Sequence, residues 1–401
     1  MRLLPTSLLG LRDFRRLAAA VFLNSVGTVG EQVVLGWLTL ELTDSPLMVG
    51  VALGMRMAPL LVVGLPAGVL ADRVDRRRLL NLTSAAMAGT TAAMGGLTLL
   101  DRVGVAHVLG LTFAAACARG LHQAARQSYA HDLLGGARLI DGLALVGLAM
   151  RLGGLVGSLL VGSLIARLDP GVAYLAVAAG YLSAVLALWS GPAAPPGARA
   201  AADPVWQSVV GFVGLVRRDR LLPVLVALTA GSEILGFSHQ ALLPSLARDV
   251  LRVGAEGLGA MTAARSVGGM LGIVLVSRLG RLRGNGPLFL AVLFAFGGSM
   301  VGLAAAPGFL WVLLLLVLVN ALGGMSDILS QSLIQLSVPS ALRGRAGGAW
   351  VVAIGTAPLG QLQVGAVASW LGVGAALVAS GVALMAVAAL GALLAPRLRT
   401  L

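Results

Sequence analysis

The chain has no lysine, a single cysteine and very little charge of either sign. Charged residues make up 11% of its 401 residues, against roughly a quarter in a soluble domain. Without lysine there is no G-x-x-x-x-G-K-[ST] phosphate loop, so ATP does not drive the protein through such a motif. Cys117 stands alone, which excludes an internal disulfide and any paired-cysteine metal site. No His-Glu-x-x-His pattern supplies a zinc site. No catalytic set of side chains is visible, so neither an enzyme nor a cofactor is expected. Aromatics are only 4%, and no basic patch is interleaved with them. That excludes nucleic acid as a partner, despite a net charge of +13.

Apolar residues and glycine are abundant instead. Hydrophobic residues reach 58%, with 55 glycines, and the mean hydropathy is +0.94. Apolar runs lie at roughly 17–40, 47–71, 79–100, 103–127, 140–166 and 170–190, then at 221–246, 256–280, 286–305, 308–336, 346–369 and 372–395. Each is long enough to cross a bilayer. The pattern predicts an all-α polytopic membrane protein with twelve transmembrane helices. Residues 1–16 are basic and short, and the first run is long enough to remain a span, so no cleaved signal peptide is expected.

The 29 basic residues, all arginine, fall in alternate loops: 21 on one side, four on the other and four inside spans. Short cytoplasmic loops are rich in Arg and Lys, which places both termini in the cytoplasm. Membrane lipid is therefore one partner. Residues 191–202 are rich in Pro, Ala and Gly, and 205–216 is apolar and ends in Arg217, Arg218 and Arg220. This predicts a six-helix half at 1–190, a cytoplasmic linker with an amphipathic helix at 191–220, and a second half at 221–401. The halves align as repeats. At an offset of 209, Gly27, Gly50 and Arg56 fall on Gly236, Gly259 and Arg265. At 208, Gln123 falls on Gln331; at 203, Gly157 and Gly162 fall on Gly360 and Gly365. Duplicated six-span halves are a transporter construction, with the site near the midplane.

The stretch Gly64–Arg78 passes from apolar residues into a basic turn. Its pattern G-x-x-x-D-R-x-x-R-R, at Gly68, Asp72, Arg73, Arg76 and Arg77, resembles the loop 2–3 signature of the major facilitator superfamily. Alternatively it is a topogenic charge cluster with no mechanical role. The segments LRDFRR at Leu11–Arg16, TDSPLMVG at Thr43–Gly50, VPSALRGR at Val338–Arg345 and GTAPLGQ at Gly355–Gln361 are similar to its enterobactin-exporter and macrolide-efflux branch. The resemblance implies a secondary transporter, working as a monomer on a small-molecule substrate. It also implies a gating role for the loop 2–3 residues and a central cavity lined by spans 1, 4, 7 and 10. One departure is on span 5. There Gly153, Gly154 and Gly157 keep small residues, but the proline of the family's antiporter element is missing. A proline stands on span 11 instead, at Pro358.

Ionisable residues in mid-span are costly in lipid and mark functional positions by default. Seven occur: Glu31, Arg56, Arg119, Arg151, Glu233, Arg265 and Asp327. Glu31, Arg119, Glu233 and Asp327 fall on the four cavity spans. Glu31 and Arg56 sit at similar depth and could simply neutralise each other. Glu31, Glu233 and Asp327 are the candidates for carrying protons, because a carboxyl in a low-dielectric cavity can load and release one. The alternative for the latter two is a hydrogen-bonded acid that never titrates. Asn24, Arg119, Arg151, His239, Gln240, Gln331 and Gln335 are candidates for the cavity or the substrate, though a lone His is more often packed. His122 reads as a further cavity residue. Arg119 aligns with Asp327 and could pair with it as a gate; the alternative is that Arg119 pairs within its own half.

The expectation is export of an amphiphilic, drug- or siderophore-like molecule by proton antiport. An importer or lipid flippase on the same fold, and a non-transporting scaffold or sensor, are the rivals. Orientation is checked first. Cysteines introduced at Arg77 and Asp101, in a chain lacking Cys117, should be labelled from opposite sides by an impermeant reagent in intact cells. Equal labelling of both would refute the arginine-based topology.

Overall fold

A computed structural model of the chain describes residues 8, 10–59, 74–192, 221–279, 285–338 and 343–399. Among the described residues there is no β-strand. The helices are α1 (Arg12–Thr43), α2 (Pro46–Met57), α3 (Arg76–Leu99), α4 (Val105–Arg167), α5 (Pro170–Trp189), α6 (Leu221–Gly231), α7 (Gly254–Leu279), α8 (Asn285–Ala304), α9 (Phe309–Leu336), α10 (Arg343–Ile354), α11 (Ala357–Leu371) and α12 (Val373–Leu394). Among the described residues ten segments are long and apolar enough to cross a membrane. α3 is long enough as well, at 24 residues, but is more polar; α2 is the described part of span 2. The architecture is the expected all-α one, with twelve spans.

Local chemistry starts several of these helices. The Asp75 carboxylate accepts from the Arg78 backbone N–H at 2.9 Å and caps α3. Asp169 does the same for Gly171 at 2.6 Å, with Pro170 as the first residue of α5. Both caps satisfy donors that a helix start leaves open.

Spans 4 and 5 differ from expectation. The 128–139 stretch reads as a loop in the sequence, yet helical bonding runs through the whole of α4, 63 residues in all. A straight helix of that length would reach about 95 Å, roughly three times the hydrocarbon thickness. The contacts along α1 show that it folds back. Gly153 lies against Phe22, and Gly157 and Val161 lie against Gly30 or its neighbours, so Asp141–Arg167 runs parallel to α1. Arg119 meets Glu31, whereas Tyr129 and Leu134 share a core with Leu8, Phe14 and Leu17, so Val105–Leu134 runs antiparallel.

Span 7 is not a regular helix. After α6 the backbone widens to a π-turn at Ser232–Gly236, tightens to a 3-10 segment at Phe237–Leu242, and widens again at Leu246–Val250. Gly236 permits the change, since a Cβ there would meet the edge of the Phe296 ring at 2.6 Å. Changes of helical pitch turn successive side chains away from a single stripe and recur at functional sites. Span 11 breaks at Gly355–Thr356, with Pro358 in the first turn of α11. Proline cannot continue a helix from upstream, and span 5, which lacks it, is unbroken.

Contacts divide the chain into two compact units. One comprises Met1–Thr43, Met55–Ala202 and Gly254–Ala263; the other comprises Asp44–Gly54, Asp203–Val253 and Ala264–Leu401. Each therefore includes the first part of a span from the other sequence half. In the first unit, Gly157 packs on the Val26 carbonyl and Gly162 on the backbone of Gly259. In the second, Gly360 packs on the Ile234 carbonyl and Gly365 on the backbone of Gly50. These are the positions that the repeat offsets pair. Two ion pairs accompany them: Arg167–Glu256 at 3.6 Å in the first unit and Arg248–Asp44 at 2.9 Å in the second. In lipid there is no hydrophobic drive between helices, so backbone approach over small residues supplies the packing.

Gly157→Ala is expected to cost about 1–3 kcal/mol by overpacking, lowering the thermal midpoint of the purified protein. Gly89, whose absent Cβ would meet nothing within 4 Å, is the control; Gly89→Ala should leave the midpoint close to that of the parent. Equal midpoints for the two variants would show that the contact at Gly157 is slack.

Candidate functional site

Four of the seven mid-span charges belong to the first unit, and three of them converge on one turn of α1. Glu31 is buried, with 3% exposure. Its Oε2 accepts from Arg119 Nη2 at 2.6 Å and from the Tyr181 hydroxyl at 2.6 Å. Arg56 Nη2 donates to the Thr28 carbonyl, one turn earlier, at 2.7 Å. The direct Glu31–Arg56 pair, the alternative that similar depth allows, is not formed. Arg119 takes the carboxylate from span 4, while Arg56 acts on Glu31 through its field alone. Arg119 has its partner within its own half, the alternative to pairing with Asp327.

Hydrogen bonds continue from this cluster into the bundle. Thr28 Oγ1 donates to Asn24 Oδ1 at 3.4 Å, and Asn24 Nδ2 donates to Ser84 Oγ at 3.4 Å. His122 Nδ1 lies 3.1 Å from Thr83 Oγ1 and 3.4 Å from Ser84 Oγ. Asn24 and His122 are both buried. Through these bonds they tie α1 and α4 to α3. Arg151 is exposed; its neighbour Met150 accepts from Ser25 through its carbonyl at 2.6 Å.

Of the loop 2–3 motif, Gly68, Asp72 and Arg73 lie outside the described residues. Arg76 is buried and forms an ion pair with Asp132 of α4. Arg77 Nη1 donates to the carbonyls of Trp189 at 3.1 Å and Gly191 at 2.7 Å, beyond the end of α5. The described part of the motif thus ties the start of α3 to α4 and α5. Most of the linker, 193–220, is also outside the described residues.

In the second unit, Glu233 stands half-buried on the π-turn of span 7, within electrostatic reach of Asp327 on α9. Gln240, Gln331 and Gln335 are half-buried on the same two spans. His239 is wholly buried. Its Nδ1 bonds the Gly236 carbonyl at 2.7 Å, and its ring meets Phe296 edge-on at 6.5 Å. His239 is thus held against α8 by its ring, as a packed histidine would be. Arg265 Nε donates to Asn320 Oδ1 at 3.4 Å.

Sequence reasoning missed Tyr174, Tyr181, Thr28, Asn320 and Gln361. The tyrosines had a signal. The chain has three, and two stand seven apart on α5, which puts them on one helical face. Gln361 is buried with Oε1 lacking a donor; its backbone carbonyl faces Gly50. Among the described residues no group of three metal-ligating side chains occurs.

The sequence matches the family described as transmembrane secretion effector over residues 6–400. The enterobactin exporter EntS of Escherichia coli O1:K1 is 27% identical over 333 residues, covering 80% of this chain and 78% of that protein. EntS of Shigella boydii serotype 18 is 27% identical over 332 residues, with the same coverage. Among solved structures, a mutant of the nucleoside transporter NupG superposes with a TM-score of 0.81 at 13% identity, covering 95% of this chain and 99% of that one. That likeness establishes the fold alone.

Removing one member of a buried ion pair strands the other, at a cost of about 3–5 kcal/mol, whereas removing both is far milder. Glu31→Gln and Arg119→Gln should each lower the thermal midpoint strongly in gluconate buffer, and the double variant should recover most of the loss. Additive losses would show that the pair contributes nothing as a pair.

Proposed function

Because the chain belongs to the transmembrane secretion effector family of the major facilitator superfamily, we propose that it exports an amphiphilic small molecule by proton antiport with alternating access. It is a multi-pass membrane transporter. The proposal adds the substrate class, the driving ion and the residues. Its setting is the bacterial inner membrane, with both termini cytoplasmic, and its working form is a monomer. The relative named as an enterobactin exporter supports a siderophore-like solute. The inner-side excess of arginine supports the orientation.

The observation that carries the proton reading is the pair of acids in the second unit. The charge of Asp327 reaches Glu233. Two carboxylates in a protein interior cannot both ionise cheaply, so such a pair is a place to hold a proton. Glu233 also stands on the irregular turn of span 7. Discontinuous helices commonly form the coupling-ion sites of transporters, and intramembrane acids commonly form proton relays. Glu31, the third candidate, is already occupied by Arg119 and Tyr181. The proton role therefore goes to the pair in the second unit.

Alternating access needs contacts that form in one state and separate in the other. The glycine seams at Gly50–Gly365 and Gly162–Gly259, each joining a span to one from the opposite sequence half, are suited to this.

The test uses inverted vesicles and enterobactin as the probe. The parent protein should accumulate it when an acid-inside gradient is imposed. Glu233→Gln and Asp327→Asn should each lose at least about tenfold of the gradient-driven rate, one pH unit of driving force being tenfold, while retaining exchange without a gradient. Full gradient-driven uptake in both variants would remove the proton role from this pair. Absence of enterobactin uptake by the parent would exclude the substrate class.

A further inference from the structure

The Glu31 cluster holds more donors than acceptors. Two guanidinium groups, Arg56 and Arg119, share one carboxylate, and each acts electrostatically on the other. Arg119 uses Nη2 on Glu31, but its Nε and Nη1 are buried with no acceptor. Arg56 spends Nη2 on the Thr28 carbonyl, and its Nε is buried with no acceptor. The Tyr174 hydroxyl is buried without a partner too, in a residue only 2% exposed. Tyr174 and Glu31 line the same small cavity, with Thr90, Thr91 and Thr112 around it. Four buried donor atoms therefore surround one turn of α1 without an acceptor for any of them.

An unpaired buried cation and an unmet buried donor are both expensive. Protein side chains could have cancelled the surplus, as Glu31 does for one arginine. An acceptor bearing negative charge would meet these donors and offset the second arginine. The guanidinium fork is the side-chain group best shaped for carboxylate and similar oxyanions. We propose that Arg56, Arg119 and Tyr174 form an anion-binding site beside Glu31, in the first unit. The ligand is either a small inorganic anion or the acidic group of the transported solute.

Glu31 sets the affinity of this site. Its carboxylate holds Arg119 Nη2 and competes with any anion for the same guanidinium. Loss of that negative charge frees Arg119 and leaves two arginines facing an empty acceptor position. The site does not depend on the acids of span 7 and α9. Failure of proton coupling at Glu233 and Asp327 would leave it standing, and its own failure would not touch them.

Thermal unfolding of the purified chain tests it, because a ligand that binds only the folded state raises the midpoint. Sodium chloride and sodium benzoate are titrated against sodium gluconate at constant ionic strength. Either anion should raise the parent midpoint. Arg56→Gln should weaken the apparent affinity about tenfold, and Glu31→Gln should tighten it about tenfold, each the size of one charge-assisted hydrogen bond. The same anion should reverse the destabilisation of Glu31→Gln but not that of Arg119→Gln. A response to benzoate alone assigns the site to the solute's acidic group; a response to chloride assigns it to an inorganic ion. No anion response in the parent, or an equal response in the parent and Arg56→Gln, would overturn the proposal. If Glu31→Gln does not fold, the comparison of the parent with Arg56→Gln decides alone.

Discussion

The ion pair of Glu31 with Arg119 is the interaction on which the arrangement of the first unit depends. A charge in mid-membrane has no water to turn to, so the protein must bring its partner. Glu31 on α1 draws Arg119 from α4 and Tyr181 from α5 onto one carboxylate oxygen. Thr28, on the same face, takes Arg56 from α2. Three spans are thus registered against one turn of helix. Asn24, a further turn along, extends the register to α3 through Ser84. Apolar side chains in lipid gain little from meeting one another. Polar contacts of this kind determine which helix stands where.

Glycine does the rest, and it does so twice. Span 5 packs on span 1 where Gly157 meets the Val26 carbonyl, and span 11 packs on span 7 where Gly360 meets the Ile234 carbonyl. Even the turns before spans 2 and 8 match. Asp44 and Arg252, 208 residues apart, hold left-handed φ angles of 49° and 53°. Such angles are uncommon for residues other than glycine, so the shared geometry was inherited with the repeat.

The fold was legible because its causes are local. Span count follows from run length, and the repeat follows from glycines and arginines that keep their order. Helix breaks were partly legible: Pro358 marks the one in span 11. Gly231, Gly236 and Pro244 mark the irregular stretch of span 7 only in hindsight, since isolated glycines also stand in regular helices, such as Gly153 and Gly157 of α4. The residues of the site were found by their charge, but their partners were not. Similar depth along a span allowed Arg56 as a partner for Glu31, whereas rotation about the helix axis brings Arg119 to it, and rotation cannot be read from depth. Tyr174 and Tyr181 escaped because a neutral hydroxyl gives no signal in a hydropathy count. His239 and Asn24 drew attention by polarity alone; their hydrogen bonds to the Gly236 carbonyl and to Ser84 depend on rotation about the helix axis, which polarity does not give.

The repeat also shows how one ancestral half yields two chemistries. Glu31, Arg56 and Arg119 align with Gln240, Arg265 and Asp327, and Asn24 aligns with Glu233. The second arginine of one half is an acid in the other, and the acid of one half is a neutral amide in the other. With every group ionised, the first set carries one net positive charge and the second one net negative charge. The positive set has donors to spare, and the negative set has two carboxyl groups within reach of each other. On the proposed reading, anion recognition and proton carriage are divided between the halves. Such a division has a physical advantage. A carboxylate next to the anion's own arginines would compete for them, as Glu31 does, so the proton-carrying acids are better kept on other spans. Duplication supplies the second set of positions at equivalent depth, where charge can be inverted without disturbing the packing that the glycines impose.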